Sequence, residues 1–193
     1  TSVSEATVEE LENLFNKKIT VVDRIFVETK IKSIFENAKK EDIAFLSMGD
    51  VFSATTHTDV YLRAKREKIP IKSIYGVSIL TAIGITGLSL YNFGRTTTIP
   101  FNHKDIQSAY NTFKLNKKNN LHTLFLLDLD TKNNKFLSIK EACEYLIKNG
   151  AAQDTLAIGC ARLGFQDFKI KVATLGSLKK EDFGKSPYCL IIP

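Results

Sequence analysis

A chain of 193 residues with 44% hydrophobic and 25% charged side chains can bury one large core or two small ones, and this composition excludes a disordered or fibrous chain. No apolar run approaches the ~18 residues that a membrane-spanning helix needs. The net charge of +6 is spread over separated lysines (Lys17, Lys39, Lys68, Lys117, Lys179) with no basic stripe, which argues against nucleic acid as the direct substrate and suits docking on an acidic protein.

Thr7 and Glu10 form a capping-box pair, and Val8, Leu11, Leu14 and Phe15 then line one helical face. Residues 19–22 are β-branched and predict a short strand. Val27, Ile31, Ile34 and Phe35 make a second helical stripe. Ile43, Ala44, Phe45 and Leu46 form an unbroken apolar run, the pattern of a parallel strand covered on both faces, and it leads into Gly49-Asp50. A helix is expected over 57–68 and a strand over 71–75, after Pro70. A helix rich in small residues follows Ser78, interrupted by Gly84, Gly87 and Gly94. Residues 91–100 read as the crossing point between two halves.

The second half predicts a polar helix over 104–117 and a strongly apolar strand over 124–129. A second capping box, Ser138 with Glu141, opens a helix carrying Ala142, Cys143, Leu146 and Ile147 on one side, and Asn149-Gly150 closes it. Strands are expected over 155–163, 169–175 and 188–192. The order predicts an α/β protein with a mainly parallel sheet in the first half and more closely spaced strands in the second. Two small α/β domains follow, 1–93 and 94–193, with a ligand cleft at their joint.

The chemistry is carried by few residues. Cys143, Cys160 and Cys189 form an odd, widely spaced set without a CxxC pair, and with three His there is neither a disulfide framework nor a zinc pattern. Cys143 and Cys160 lie in apolar runs as small buried hydrophobes, which points to a reducing compartment, the cytosol. No metal site is expected. In the segment 48–57, an apolar strand ends and a Gly-Asp turn leads through small residues into a helix. Ligands of open α/β sheets bind beyond such strand ends. Asp50 can accept from a ligand amine or hydroxyl while Ser53 and Ala54 let backbone approach; equally, Asp50 can simply turn the chain and Thr56 cap the helix. His57 has no nucleophile or acid beside it, so it is expected to fix the loop rather than move a proton. Ser78 can cap a helix or touch a ligand. Leu126-Leu127-Asp128 and Ala161-Arg162-Leu163-Gly164 can each contribute to a site or merely finish a strand. The chain has no GxGxxG, Walker A or Gly-x-Ser-x-Gly motif, which argues against a Rossmann dehydrogenase, a P-loop nucleotidase and an α/β-hydrolase.

Taken together, Thr1-Ser2, Ala44-Phe45-Leu46 through Gly49-Asp50, Ala54-Thr55-Thr56-His57-Thr58-Asp59, Leu62-Arg63-Ala64, Ser78-Ile79, Gly87-Leu88, Leu90-Tyr91, Phe93-Gly94, His122-Thr123-Leu124, Leu126-Leu127-Asp128, Ser138-Ile139, Glu141-Ala142, Ala161-Arg162-Leu163-Gly164 and Leu190-Ile191-Ile192 resemble the diphthine synthases, a branch of the tetrapyrrole-methylase-like methyltransferases. The ATTHTD run and the His122-to-Asp128 run are the specific ones, and the resemblance covers nearly the whole chain. It implies two α/β domains with S-adenosyl-L-methionine in the cleft between them, a homodimer, and a cytoplasmic enzyme of diphthamide biosynthesis that methylates a modified histidine on elongation factor 2. It places the cofactor contacts on Asp50, Ser53, Ser78, Ile79, Leu127, Leu163 and Tyr188, and requires no catalytic residue. The chain departs from the family at Ser53, where Gly is usual, at Gly76-Val77, where Asn-Ala is usual, and at Tyr188, where His is usual. The family's first strand and Gly-rich loop, and its final stretch, are expected to lie outside this chain. Other readings are a different methyltransferase of the same fold, or a binding fragment without turnover.

Overall fold

The computed structural model describes residues 4–131 and 133–193. Thr1-Ser2, part of the family-like pattern, lies outside the described residues. Contacts divide the chain into two units, one ending at Ser78 and the other Ile79–Pro193. The sequence placed the joint near residue 94. The contacts place 79–93 with the second unit, where Ile83 is buried and Ile79, Leu88 and Phe93 pack around the same core.

The first unit is built from helices. α1 (Val8–Phe15) starts at the expected capping box, with Thr7 N–H donating to Glu10 at 2.7 Å and Glu10 N–H to the Thr7 hydroxyl at 3.1 Å. Its apolar stripe is not covered among the described residues; Leu14 is 73% exposed. The stripe expected as one helix is two. In α2 (Arg24–Thr29), the Asp23 carboxylate caps the Phe26 N–H, and α3 (Lys32–Ala38) follows after a break at Lys30. α4 (Thr58–Arg66) occupies the expected helix. Val27, Ile31, Phe35, Ala64 and Ile69 form the core, with Phe45 and Val60 packed on it.

The expected strands at 19–22, 43–46 and 71–75 do not form a sheet. These stretches are non-helical, and among the described residues they carry no ladder hydrogen bonds. The reason is physical: apolar and β-branched residues favour a pleated, buried environment, but a strand exists only with a neighbour to bond. Val21, Leu46, Ile74 and Val77 stay exposed.

The second unit begins with α5 (Ile79–Ala82) and two 3-10 turns, Ile83–Thr86 and Leu90–Asn92. Then come β1 (Thr97–Ile99), α6 (Ser108–Lys118), β2 (Thr123–Leu127), a short ribbon of β3 (Leu129–Asp130) and β4 (Lys135–Phe136), α7 (Ile139–Lys148), β5 (Leu156–Ala161), β6 (Lys169–Thr174), α8 (Leu175–Leu178) and β7 (Tyr188–Ile192). The main sheet has the order β1-β2-β7-β5-β6. β1 and β2 are parallel, and every other pairing is antiparallel.

Period-2 alternation sorts its side chains onto two faces. Phe125, Leu127, Ala157, Ala161, Leu190 and Ile192 meet α6 and α7 on one face. Leu124, Ile158, Cys160, Cys189 and Ile191 meet Ile83 on the other. Each fully buried large side chain contributes about 1.5–3 kcal/mol. α7 opens at the expected box, with Glu141 N–H donating to the Ser138 hydroxyl at 3.2 Å. All three cysteines are free and buried; burial pushes the Cys143 thiol up to about 12. Cys189 lies opposite Cys160, and their mutual hydrogen bond and burial raise its thiol well above the ordinary range. Such thiols pack and do not react.

One polar residue of α6 ties that helix to the segment leading into β1 and to the start of β2. The Asn116 side chain accepts from Arg95 N–H at 3.1 Å and donates to the Arg95 carbonyl at 2.9 Å and the Thr123 hydroxyl at 3.1 Å. Gly94 permits this, since a Cβ there would sit 2.3 Å from the Asn116 oxygen. Among the described residues, no helix is long and apolar enough to cross a membrane.

Asn116→Ala should cost about 1–3 kcal/mol in chemical denaturation, because it strands the buried Thr123 hydroxyl and the partly buried Arg95 backbone groups. Amides of residues 43–46 and 71–75 should exchange with deuterium far faster than those of β5 and β7, and equal protection would show a ladder in the first unit.

Candidate functional site

In the first unit the site residues sit on the loop that follows the apolar stretch 43–48. Asp50 organises it. Its Oδ1 accepts from Phe52 N–H, Ser53 N–H and the Ser53 hydroxyl, each at 2.9 Å, and its Oδ2 accepts from Gly76 N–H at 3.3 Å. The Phe52 N–H and the Ser53 hydroxyl hold the carboxyl below the usual carboxylate range. One side chain thus ties residues 50–53 to residue 76. The approach is close enough that a Cβ on Gly76 would lie 2.3 Å from the Gly49 carbonyl oxygen. Ser53 has a role that Gly could not fill, a hydroxyl bond to Asp50. Ala54 takes a left-handed backbone (φ 56°), strain of the kind that concentrates in functional loops. Ser78, at the end of the unit, is buried.

Aromatic contacts seat the loop. His57 meets the Phe45 ring edge-on at 5.2 Å, and Phe52 does the same to Tyr61 at 5.7 Å. His57 Nδ1 is buried without a hydrogen-bond partner among the described residues. Burial lowers the imidazole from its ordinary value, against a smaller opposing effect of the Val51 backbone. His57 is thus a packed histidine at the head of α4, and among the described residues no acid or nucleophile is bonded to it.

In the second unit, topology gathers three of the expected residues. β2 and β5 both run antiparallel to β7, so their carboxyl ends and the start of β7 share one sheet edge. Leu127 ends β2, Tyr188 opens β7 opposite Ala161, and Leu163 lies just past the end of β5. Leu127 and Tyr188 pack with the first core and Leu163 with the second, where Ile79 also packs. The Tyr188 hydroxyl donates to the Gly184 carbonyl, and burial raises its ionisation above the ordinary range. Asp128, next to Leu127, accepts from Phe101 N–H at 3.1 Å and Leu129 N–H at 2.9 Å, so it fixes the loop after β1. Two open surface cavities, about 430 Å³ beside Lys140 and Lys180 and about 560 Å³ beside Arg95 and Ser108, contain none of the expected site residues.

Sequence reasoning undervalued Arg162. It lies in the Ala161-Arg162-Leu163-Gly164 run and anchors the loop that carries Leu163. The usable signal was an Arg leaving a buried strand with Asp167 within reach on the same turn. Among the described residues no cluster of His, Cys, Asp or Glu could hold a metal ion.

The His57 ring should titrate below about 6.5 by NMR. A histidine lowered on folding makes the unfolded state the better proton acceptor. Its contribution to stability is therefore complete above the ordinary His value and is lost as pH falls toward the lowered one. A titration at or above the ordinary value would make His57 a charged group and a candidate for proton transfer.

The family model of the Tetrapyrrole (Corrin/Porphyrin) Methylases matches residues 5–179. A diphthine methyl ester synthase of Saccharomyces cerevisiae is 40% identical over 97% of this chain and 70% of its own length. A diphthine synthase of Methanocaldococcus jannaschii is 38% identical over 97% of this chain and 77% of its own. A crystal structure of a diphthine synthase superposes with a TM-score of 0.89 at 34% identity, covering 97% of this chain and 73% of that one. With a family match over most of its length and relatives this similar, the chain belongs to the tetrapyrrole methylases and, within them, to the diphthine synthases.

Proposed function

We propose that this chain is an S-adenosyl-L-methionine-dependent methyltransferase that methylates the modified histidine of elongation factor 2, a step of diphthamide biosynthesis. The observation that carries this reading is the similarity to diphthine synthases along 97% of the chain, at up to 40% identity. Asp50, Ser53, Ser78, Ile79, Leu127, Leu163 and Tyr188 are the proposed cofactor contacts. The donor set fits such a ligand. Among the described residues, Asp50 Oδ2 receives a single long bond, from Gly76 N–H, and a carboxylate oxygen has room for a further donor from an amine or hydroxyl. Ser78 supplies a buried hydroxyl, and Leu127, Leu163 and Ile79 supply apolar surface for a flat ring.

The cofactor supplies an electrophilic sulfonium methyl, so the hard chemistry does not fall on the protein. The chain's residues have three tasks: to bind, to align the acceptor amine with the methyl, and to exclude water. Alignment of this kind is worth about 7–11 kcal/mol of barrier. No side chain is needed as nucleophile, and His57 is packed against Phe45. The relatives named as methyl ester synthases extend the proposal to a carboxylate of the same substrate side chain. A scattered positive surface suits an acidic or ribosome-associated partner, and the enzyme is proposed to act as a homodimer in the cytoplasm, where translation takes place.

Calorimetry with S-adenosylmethionine and S-adenosylhomocysteine, followed by methyl transfer from labelled cofactor to unmethylated elongation factor 2, tests this. We expect micromolar binding of both and label on the factor, with any ester fraction released by mild alkali. Asp50→Ala should weaken S-adenosylhomocysteine about tenfold or more, with the fold retained. Capture of the factor without label would assign a docking role in place of catalysis, and no cofactor binding would remove the reading altogether.

A further inference from the structure

Resting on the proposed cofactor contacts, we infer that Arg162 is a positioning residue that holds Leu163 and Tyr188 in place for the cofactor by tying together the two loops that carry them. Leu163 follows Arg162 directly in the turn after β5. Tyr188 directly follows Ser186 and Pro187 in the loop before β7. These are separate loops in the chain, and Arg162 engages both.

Its backbone N–H donates to the Pro187 carbonyl at 2.8 Å. Its guanidinium donates to the Ser186 carbonyl through Nη1 at 3.3 Å and to Asp167 Oδ1 through Nε at 2.6 Å. The same guanidinium lies 4.0 Å from the Phe165 ring centre. The side chain is 12% exposed, whereas that of Asp167 is 53% exposed. A guanidinium uses its planar fork to meet several acceptors at once while one face stacks, a combination that a lysine cannot reproduce.

The backbone shows the cost of this placement. Arg162 adopts φ 55°, the left-handed region that a residue with a Cβ avoids. A turn selected only to reverse the chain would put Gly here, as the next turn residue but one, Gly164, does at φ 95°. Here an arginine takes the strained backbone, and its side chain bonds the other loop. A surface ion pair alone would be a weak reason, since exposed pairs contribute little. Here the pair is one arm of a cluster whose other arms reach Ser186, Pro187 and Phe165.

The variant Arg162→Gly tests the assignment, because Gly accepts the backbone conformation and removes only the side-chain ties. The KM for S-adenosylmethionine should rise about tenfold while kcat stays within about twofold, with the melting temperature near that of the parent. Arg162→Lys should recover part of the loss through its single charge. A purely structural role would move melting temperature and leave the KM-to-kcat split untouched. A folded Arg162→Gly enzyme with parental KM overturns the inference. If Arg162→Gly does not fold, Asp167→Asn, changed at an exposed carboxylate, is expected to raise KM about threefold, and a parental KM there overturns it equally. Should the parent neither bind cofactor nor transfer methyl, the proposed function fails by itself. The loop-tying role is then read from deuterium exchange: amides 162 and 165 should exchange about tenfold faster in Arg162→Gly while those of Ala157 and Leu190 do not change, and unchanged rates at 162 and 165 overturn it.

Discussion

Strand β7 is bonded on both sides and buried on both faces, and the second unit is arranged around that constraint. A central strand must supply apolar side chains to two cores at once. Cys189 and Ile191 enter one core, and Leu190 and Ile192 the other. Its two neighbours, β2 and β5, each run opposite to it. They are therefore parallel to one another, and their carboxyl ends emerge at the same edge. Leu127, Leu163 and Tyr188 lie at one end of the sheet for that reason, although they are far apart in sequence. The geometry of the candidate site is thus set by a backbone pairing rule.

The first unit works by a different device. Where no ladder holds backbone to backbone among the described residues, a carboxylate does so. Asp50 gathers four donors from residues 52, 53 and 76, and aromatic edges from Phe45, Tyr61 and Tyr75 press the loop into shape. Local polar bonds and ring contacts take little chain to make, and the loop is accordingly well determined in a unit whose apolar stretches remain partly open to water.

Much of this was legible in the sequence. Both capping boxes, Thr7 with Glu10 and Ser138 with Glu141, form as expected, because a cap is decided by residues three apart. β7 is found at 188–192 as expected, because an apolar β-branched run followed by a Pro offers few alternatives. The strand expectations at 19–22, 43–46 and 71–75 did not carry over. Side-chain pattern records a preference for a pleated surface but not whether a neighbouring strand is there to bond. The stripe from Val27 to Phe35 likewise reads as one helix in sequence, since periodicity does not register the break at Lys30. At the site, turn chemistry singled out Asp50 and resemblance supplied Leu127, Leu163 and Tyr188. Arg162 escaped because its partners, Ser186 and Pro187, contribute main-chain oxygens, and these have no signature in residue identity.

The place of β7 in the sheet also bears on how the chain reaches its native state. β2 and β5 are synthesised before the strand that must lie between them. Until that strand arrives, each presents an unpaired apolar edge to the other, and a direct β2–β5 pairing would be parallel and closed to the insert. Pairings distant in sequence are slow to form, and exposed edges of this kind invite association with other chains. Closure of the second unit thus waits on β7, and a polar residue at Leu190 or Ile191, both fully buried, should lower yield and solubility during synthesis as well as the stability of the finished fold.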